Sequence, residues 1–181
     1  MKKILALSGS SARQSVNRIL LEHVTSKMTK SSVTLFDLSQ ASIPLYSVDQ
    51  EAEKIPDDAR KLWAMMCEHD AVVIASPEHN GLMPAALKNA VDWLSRLRGP
   101  GESFFGHTVK PVLLISTSPG ANGGATALRT MQTLMPWWGG DVRETYSLGN
   151  FFDRFSDNHF DAETEQQLSE LADRFENAIY S

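Results

Sequence analysis

The sequence predicts a doubly wound α/β fold: five parallel strands in the order 2-1-3-4-5, with helices on both faces. Three observations point there. Five short apolar or β-branched runs alternate with segments whose apolar residues recur at helical spacing, as crossover helices require. Asp70–Ser76 is apolar almost throughout rather than alternating, which suits a strand covered on both faces. The 181 residues suit one domain spanning residues 1–181, and a chain of that size buries roughly 70% of the surface it exposes when unfolded. No repeat, low-complexity stretch or linker divides it.

The elements follow in order. Lys2–Ser8 is an apolar run ending in small residues, a buried first strand. Ser15–Met28 places Val16, Ile19, Leu20 and Val24 at helical spacing. Ser32–Leu38 is rich in β-branched and aromatic residues, a second strand. Ala41–Pro56, punctuated by Pro44 and Pro56, reads as a loop, and Asp57–His69 then repeats Ala59, Leu62, Trp63 and Met66 as a helix does. After the third strand, Asp70–Ser76, comes an amphipathic helix over Pro84–Leu97. Pro84 is expected in its first turn, where a missing N–H costs little. Lys110–Thr117 is the fourth strand, Gly124–Met135 a helix and Asp141–Leu148 the fifth strand. Asp161 can cap a closing helix whose buried stripe is Leu168, Leu171, Phe175, Ala178 and Ile179.

Composition narrows the function classes. The net charge is −5 and no basic block occurs, which argues against nucleic acid or an anionic membrane as partner. No run approaches the ~20 apolar residues that cross a bilayer. The basic start at Met1-Lys2-Lys3 leads into an apolar run too short for a secretory signal. The single cysteine, Cys67, has no partner for an internal disulfide. A reducing, cytoplasmic setting is therefore expected.

In a sheet of this order, ligands bind beyond the carboxyl ends of the strands, where the first and third diverge. Three loops end up there. The first reads Ser8-Gly9-Ser10-Ser11-Ala12-Arg13-Gln14-Ser15-Val16-Asn17. Its small hydroxyl residues, its arginine and the following helix N-terminus suit a phosphate. The same residues also suit a plain polar turn with Ser15 as N-cap. Gly-x-Gly-x-x-Gly and Gly-x-x-x-x-Gly-Lys-Ser/Thr are both absent. The acidic strand ends of a receiver domain are replaced by Ser8 and Ser76. The loops after the third strand (Ser76-Pro77-Glu78-His79-Asn80-Gly81) and the fourth (Ser116-Thr117-Ser118-Pro119-Gly120-Ala121-Asn122-Gly123-Gly124) are rich in proline and glycine. They can present bare backbone groups to a flat polar ring, or serve as simple strand-to-helix turns.

These motifs together resemble those of the NADPH-dependent FMN reductases of the flavodoxin-like superfamily. That family typically carries Gly-Ser-x-Arg-x-x-Ser-x-Asn after strand one, and Pro-Glu-Tyr-Asn running into Pro…Leu-Lys-Asn-Ala-x-Asp-Trp after strand three. This chain has Gly9-Ser10…Ser15-Val16-Asn17, Pro77-Glu78-His79-Asn80, Pro84, and Leu87-Lys88-Asn89-Ala90-Val91-Asp92-Trp93, with Gly120…Gly123-Gly124 after the fourth strand. It departs from the family twice. Ala12 stands where the family has arginine, with Arg13 one place later, and His79 replaces tyrosine. The resemblance implies bound FMN, with Ser10, Ser15 and Asn17 helping to hold its phosphate and Ser8, Arg13 and Val16 in the same cofactor-binding set. It further implies that Pro77, Glu78, His79, Asn80, Thr117, Ser118, Gly120 and Gly123 frame the isoalloxazine.

The reaction so implied passes hydride from NADPH or NADH through FMN to a small-molecule acceptor: a quinone, an azo compound, a metal ion or free flavin. It needs no side-chain acid or base, so no catalytic residue is named. The alternative is a non-enzymatic FMN-binding electron carrier or redox sensor. A homodimer or homotetramer is the implied assembly. Trp93 lies opposite the stripe Leu87, Ala90, Val91, Leu94 and Leu97, beside an i,i+4 ladder Lys88–Asp92–Arg96. It either folds over its own helix or faces a second subunit. Trp137-Trp138 and Phe151-Phe152…Phe155 would serve that interface or cover the flavin. His23, His69, His107 and His159 show no metal-ligand spacing and read as surface or packing residues. No Gly-x-Ser-x-Gly elbow positions a hydrolytic serine.

Overall fold

In the computed structural model, which describes residues 1–180, the apolar runs pair into one parallel sheet. Its strands are β1 (Lys2–Ser8), β2 (Ser31–Asp37), β3 (Ala71–Ala75), β4 (Lys110–Thr117) and β5 (Gly140–Leu148), in the order β2-β1-β3-β4-β5. Successive side chains on a strand point to opposite faces, so each central strand feeds two cores. Leu5 and Leu7 of β1, Val72 and Ile74 of β3, and Val112 and Leu114 of β4 meet three helices on one face. These are α3 (Asp57–Glu68), α4 (Ala85–Leu94) and α5 (Ala125–Trp138). Ile4, Ala6, Val73, Leu113 and Ile115 meet α1 (Val16–Ser26) and α7 (Ala162–Tyr180) on the other.

Helix ends fall where capping chemistry puts them. Ser15 Oγ accepts from the Arg18 N–H at 3.3 Å and starts α1. Asp161 Oδ1 accepts from the Thr164 N–H at 2.7 Å and starts α7. Pro84 occupies the cap position just before α4 rather than its first turn. The segment expected to be loop throughout, Ala41–Pro56, contains a short helix, α2 (Val48–Glu53). Ser47 caps it, and it buries none of its residues, so no apolar periodicity announces it. A single-turn helix, α6 (Phe151–Arg154), and a hairpin of β6 (Phe155–Ser156) and β7 (His159–Phe160) follow β5. Asp157 and Asn158 turn that hairpin at positive φ.

The sequence reading of α4 requires correction. Trp93 is fully buried and faces no second subunit. Its Nε1 donates to the Pro44 carbonyl at 2.8 Å, and its ring meets Tyr46 edge-on at 5.2 Å. Asn89 completes the clamp: its carboxamide oxygen accepts from the Tyr46 N–H at 2.8 Å, and its nitrogen donates to the Ile43 and Pro44 carbonyls. The loop over residues 43–46 folds onto this side of the helix, so the face opposite the apolar stripe is buried as well. The expected charge ladder also breaks. Lys88 pairs with Asp92 at 2.6 Å, but Arg96 turns to Glu51 of α2 at 2.9 Å. That arginine and the Tyr46 hydroxyl hold the Glu51 carboxyl below its ordinary range.

The aromatic pairs divide too. Trp138 is buried against Phe105 while Trp137 is exposed. Phe151, Phe155 and Phe160 pack on one another, and His23 of α1 meets the Phe155 and Phe160 rings edge-on, leaving Phe152 exposed. A buried carboxylate, Glu176 of α7, had no sequence signal. It accepts from the backbone N–H groups of Thr29 and Lys30 at 2.9–3.2 Å and pins α7 to the turn before β2.

Candidate functional site

The register aligns the carboxyl ends of the strands. Ser8 lies opposite Ala75, Ala75 opposite Ile115, and Ser116 and Thr117 opposite Ser147 and Leu148. All three predicted loops therefore leave one edge of the sheet.

The loop after β1 starts abruptly. The Gly9 N–H donates to the Ala75 carbonyl at 2.8 Å, carrying the β1–β3 pairing one residue further. A Cβ at Gly9 would lie 2.9 Å from that same carbonyl oxygen, so only glycine allows the approach. Beyond it, Ser10 Oγ accepts from the Ala12 N–H at 3.1 Å. No other backbone N–H from Ser10 to Asn17 bonds within the described chain. The run converges on the start of α1, whose first turn holds no acidic residue. Ser8 Oγ is buried and unpartnered at the same strand end. Arg13 is exposed and free of any ion pair among the described residues. This is a set of unspent donors at the positive end of a helix dipole, suited to a phosphate.

The Asn17 side chain is committed within the fold. It is buried, its carboxamide nitrogen donates to the Thr117 carbonyl at 2.9 Å, and its oxygen accepts from the Thr117 N–H at 2.9 Å. The side chain thus behaves like one more strand residue and ties α1 to the end of β4. It positions the cradle.

The loop after β4 is fixed from every side. Thr117 Oγ1 donates to the Leu148 carbonyl at 2.7 Å, and the Ser118 N–H reaches the same oxygen at 3.3 Å. The N–H groups of Asn150 and Phe151 donate to the Gly120 and Ser118 carbonyls at 3.0 and 3.1 Å. Gly123 sits at φ +59, and a Cβ there would meet the Leu148 carbonyl carbon at 2.7 Å. These contacts bring in the Gly149–Asn150 segment after β5, which the sequence reading did not assign to the site. Its signal was present, since it too follows a strand at that edge.

The loop after β3 makes a tight two-residue turn, with Asn80 at φ +54 and Gly81 at φ +81. His79 and Leu82 exchange backbone bonds of 2.8 and 3.1 Å across it. The His79 and Asn80 side chains are exposed, and Pro77 and Glu78 are half-buried. The N–H groups of Glu78, Asn80, Gly120, Ala121 and Asn122 bond to nothing else among the described residues. Two adjoining loops, linked through Glu78 and Asn122, therefore both carry uncommitted backbone donors. Val16, with Arg13 and Ser15 of the same loop, lines a concavity of about 510 Å³ beside α1 that Phe151, Phe152 and Phe155 also wall.

The strand order, an anion cradle at the β1–β3 divergence and two backbone-lined loops beside it together define a flavodoxin-like protein with a mononucleotide-type site. Residues 2–153 match the family described as NADPH-dependent FMN reductase, and the chain belongs to that family. It is 37% identical over 125 residues to a 2-hydroxy-1,4-benzoquinone reductase of Burkholderia sp, covering 69% of this chain and 65% of that protein. It is 38% identical over 125 residues to a quinone reductase of Escherichia coli (strain K12), covering 68% and 63%. These alignments span less than two thirds of either relative's own length. Among solved structures, the flavoenzyme NAD(P)H:(acceptor) oxidoreductase FerB of Paracoccus denitrificans superposes with a TM-score of 0.81. At 24% identity it covers 99% of this chain and 98% of its own, and it bears on the fold alone.

Proposed function

We propose that the protein is an FMN-dependent oxidoreductase that takes hydride from NADPH or NADH and reduces a small-molecule acceptor of the quinone or azo class. The observation that carries this reading is the set of uncommitted backbone donors at the β1–β3 divergence. One cluster over residues 10–17 suits a phosphate, and a second pair of loops suits a flat heterocycle. Membership of the FMN reductase family and the names of its relatives, quinone reductase and NADPH azoreductase, support the same reading.

The residues present fit FMN. The uncommitted backbone N–H groups of Ser11 and of Arg13 through Asn17, with the Ser10 and Ser15 hydroxyls and the Arg13 guanidinium, would hold the phosphate. The backbone of Pro77–Asn80 and Ser118–Gly123 would bracket the ring. When bound, FMN supplies the two-electron chemistry, and the protein supplies placement and electrostatics. Asn17 and Thr117 keep the phosphate end in register with the ring end.

The working form is a homodimer. Leu45, Val48 and Leu82 support this: they stand 79, 73 and 53% exposed, apolar side chains that a second subunit would cover. The setting is cytoplasmic. In support, no helix among the described residues is long and apolar enough to cross a membrane, and one half-buried cysteine offers no disulfide.

The test is an absorption spectrum of the purified protein with FMN, followed by anaerobic NADPH. A retained flavin band that NADPH bleaches is the expected outcome. A retained band that NADPH leaves unchanged would favour an electron carrier, and no retained flavin would overturn the cofactor assignment.

A further inference from the structure

Helix α5 begins without a cap of its own. Gly124 occupies its N-cap position at φ +81, and no acidic residue stands in its first turn. The missing acceptor comes from another loop. Glu78 Oε2 accepts from the Ala127 N–H at 2.9 Å, and both carboxylate oxygens lie 3.3–3.4 Å from Asn122 Nδ2. No lysine or arginine pairs with Glu78 among the described residues. A full negative charge thus rests on the positive end of a helix dipole, in the wall between the loops after β3 and β4.

Two consequences follow from that placement. The first is mechanical: Glu78 ties the loop after β3 to the start of α5 and, through Asn122, to the loop after β4, so the two do not part without breaking its bonds. The second is electrostatic. The α5 terminus and the free N–H groups of Gly120, Ala121 and Asn122 favour negative charge in the site. The Glu78 carboxylate opposes them. Reduced FMN carries more negative charge on its ring than oxidised FMN, so the carboxylate weakens binding of the reduced form more. We propose that Glu78 is a positioning residue with both effects: it joins the two ring-framing loops and lowers the affinity for reduced relative to oxidised flavin. This rests on the FMN-binding reading above.

Two variants separate the effects. In Glu78→Gln the side-chain oxygen still accepts from Ala127 but the charge is gone; in Glu78→Ala both are lost. In FMN-free protein, hydrogen exchange over residues 120–127 should quicken roughly tenfold in Glu78→Ala and far less in Glu78→Gln. In loaded protein, redox titration of Glu78→Gln should shift the ratio of reduced to oxidised FMN affinity roughly tenfold toward the reduced form, about 30 mV for a two-electron couple. Unchanged exchange in Glu78→Ala, or an unchanged ratio in Glu78→Gln, overturns the assignment to Glu78 alone. Wild-type protein that retains no FMN would instead bring down the FMN reading, and the flavin role of Glu78 with it.

Discussion

The loops after β1 and β4 leave the same edge of the sheet, yet they are built in opposite ways. Residues 10–16 hold themselves with one turn bond from Ala12 to Ser10 and leave their remaining N–H groups unspent. Residues 117–124 are tied to Asn17, Leu148, Asn150, Phe151 and Glu78, and Gly123 lets the chain pass within contact distance of the next loop. A doubly charged group needs donors that nothing else has claimed. A flat ring needs walls that keep their spacing. On the FMN reading, one edge would meet both needs by distributing internal bonds unequally.

The contrast predicts where substitutions will be felt. Gly123→Ala should be the most damaging. Its Cβ would lie 2.5 Å from Ser147 Oγ and 2.7 Å from the Leu148 carbonyl carbon, at a φ that alanine disfavours. A loss of roughly 3 kcal/mol in urea unfolding is expected. Near wild-type stability would mean that this loop is not locked, and the contrast would collapse. Asn17→Ala should rank next, at roughly 2 kcal/mol, because the buried Thr117 N–H and carbonyl both lose their partner. It should also weaken FMN retention, since the cradle loses its tie to β4.

Arg13→Ala sharpens the comparison from the other side. It should change stability by less than about 0.5 kcal/mol. It should lower FMN affinity about tenfold, the scale of one charge-assisted hydrogen bond. Titrations at rising salt should narrow that gap. The smallest effect is expected at the opposite edge, where the Lys3 N–H and the Lys2 ammonium hold the Asp70 carboxyl below its ordinary range. A lowered carboxyl stabilises the fold fully above its unfolded value, and that contribution disappears as pH falls through the folded one. Asp70→Asn should therefore trail wild type slightly at neutral pH and converge with it in acid, with FMN retention unchanged throughout.

Much of this was legible in the sequence. Strands such as β3 and β4 are apolar on both faces, and only a covered parallel sheet accommodates that. The three loops were found because strand ends in such a sheet converge on one edge. What was not legible depended on contacts between distant segments. Trp93 looked outward by helical periodicity, because nothing local shows that residues 43–46 return to cover it. That the Glu78 and Asn17 side chains also bond to α5 and β4, 49 and 100 residues away in sequence, was equally invisible locally. α2 escaped notice because it buries nothing, and Glu176 because a buried carboxylate in an amphipathic helix looks like its solvent-facing neighbours.

Helix α7 has a consequence for how the chain is made. The family match ends at residue 153. Yet Phe175 and Ile179 complete the core around Leu20, Leu21 and Val24, and Glu176 closes the turn before β2. A chain leaving the ribosome presents β1 and α1 well before their covering helix. One face of the nascent sheet therefore stays open to water, and to chaperones, until residues near 180 emerge. That face can close only after α7 has been made.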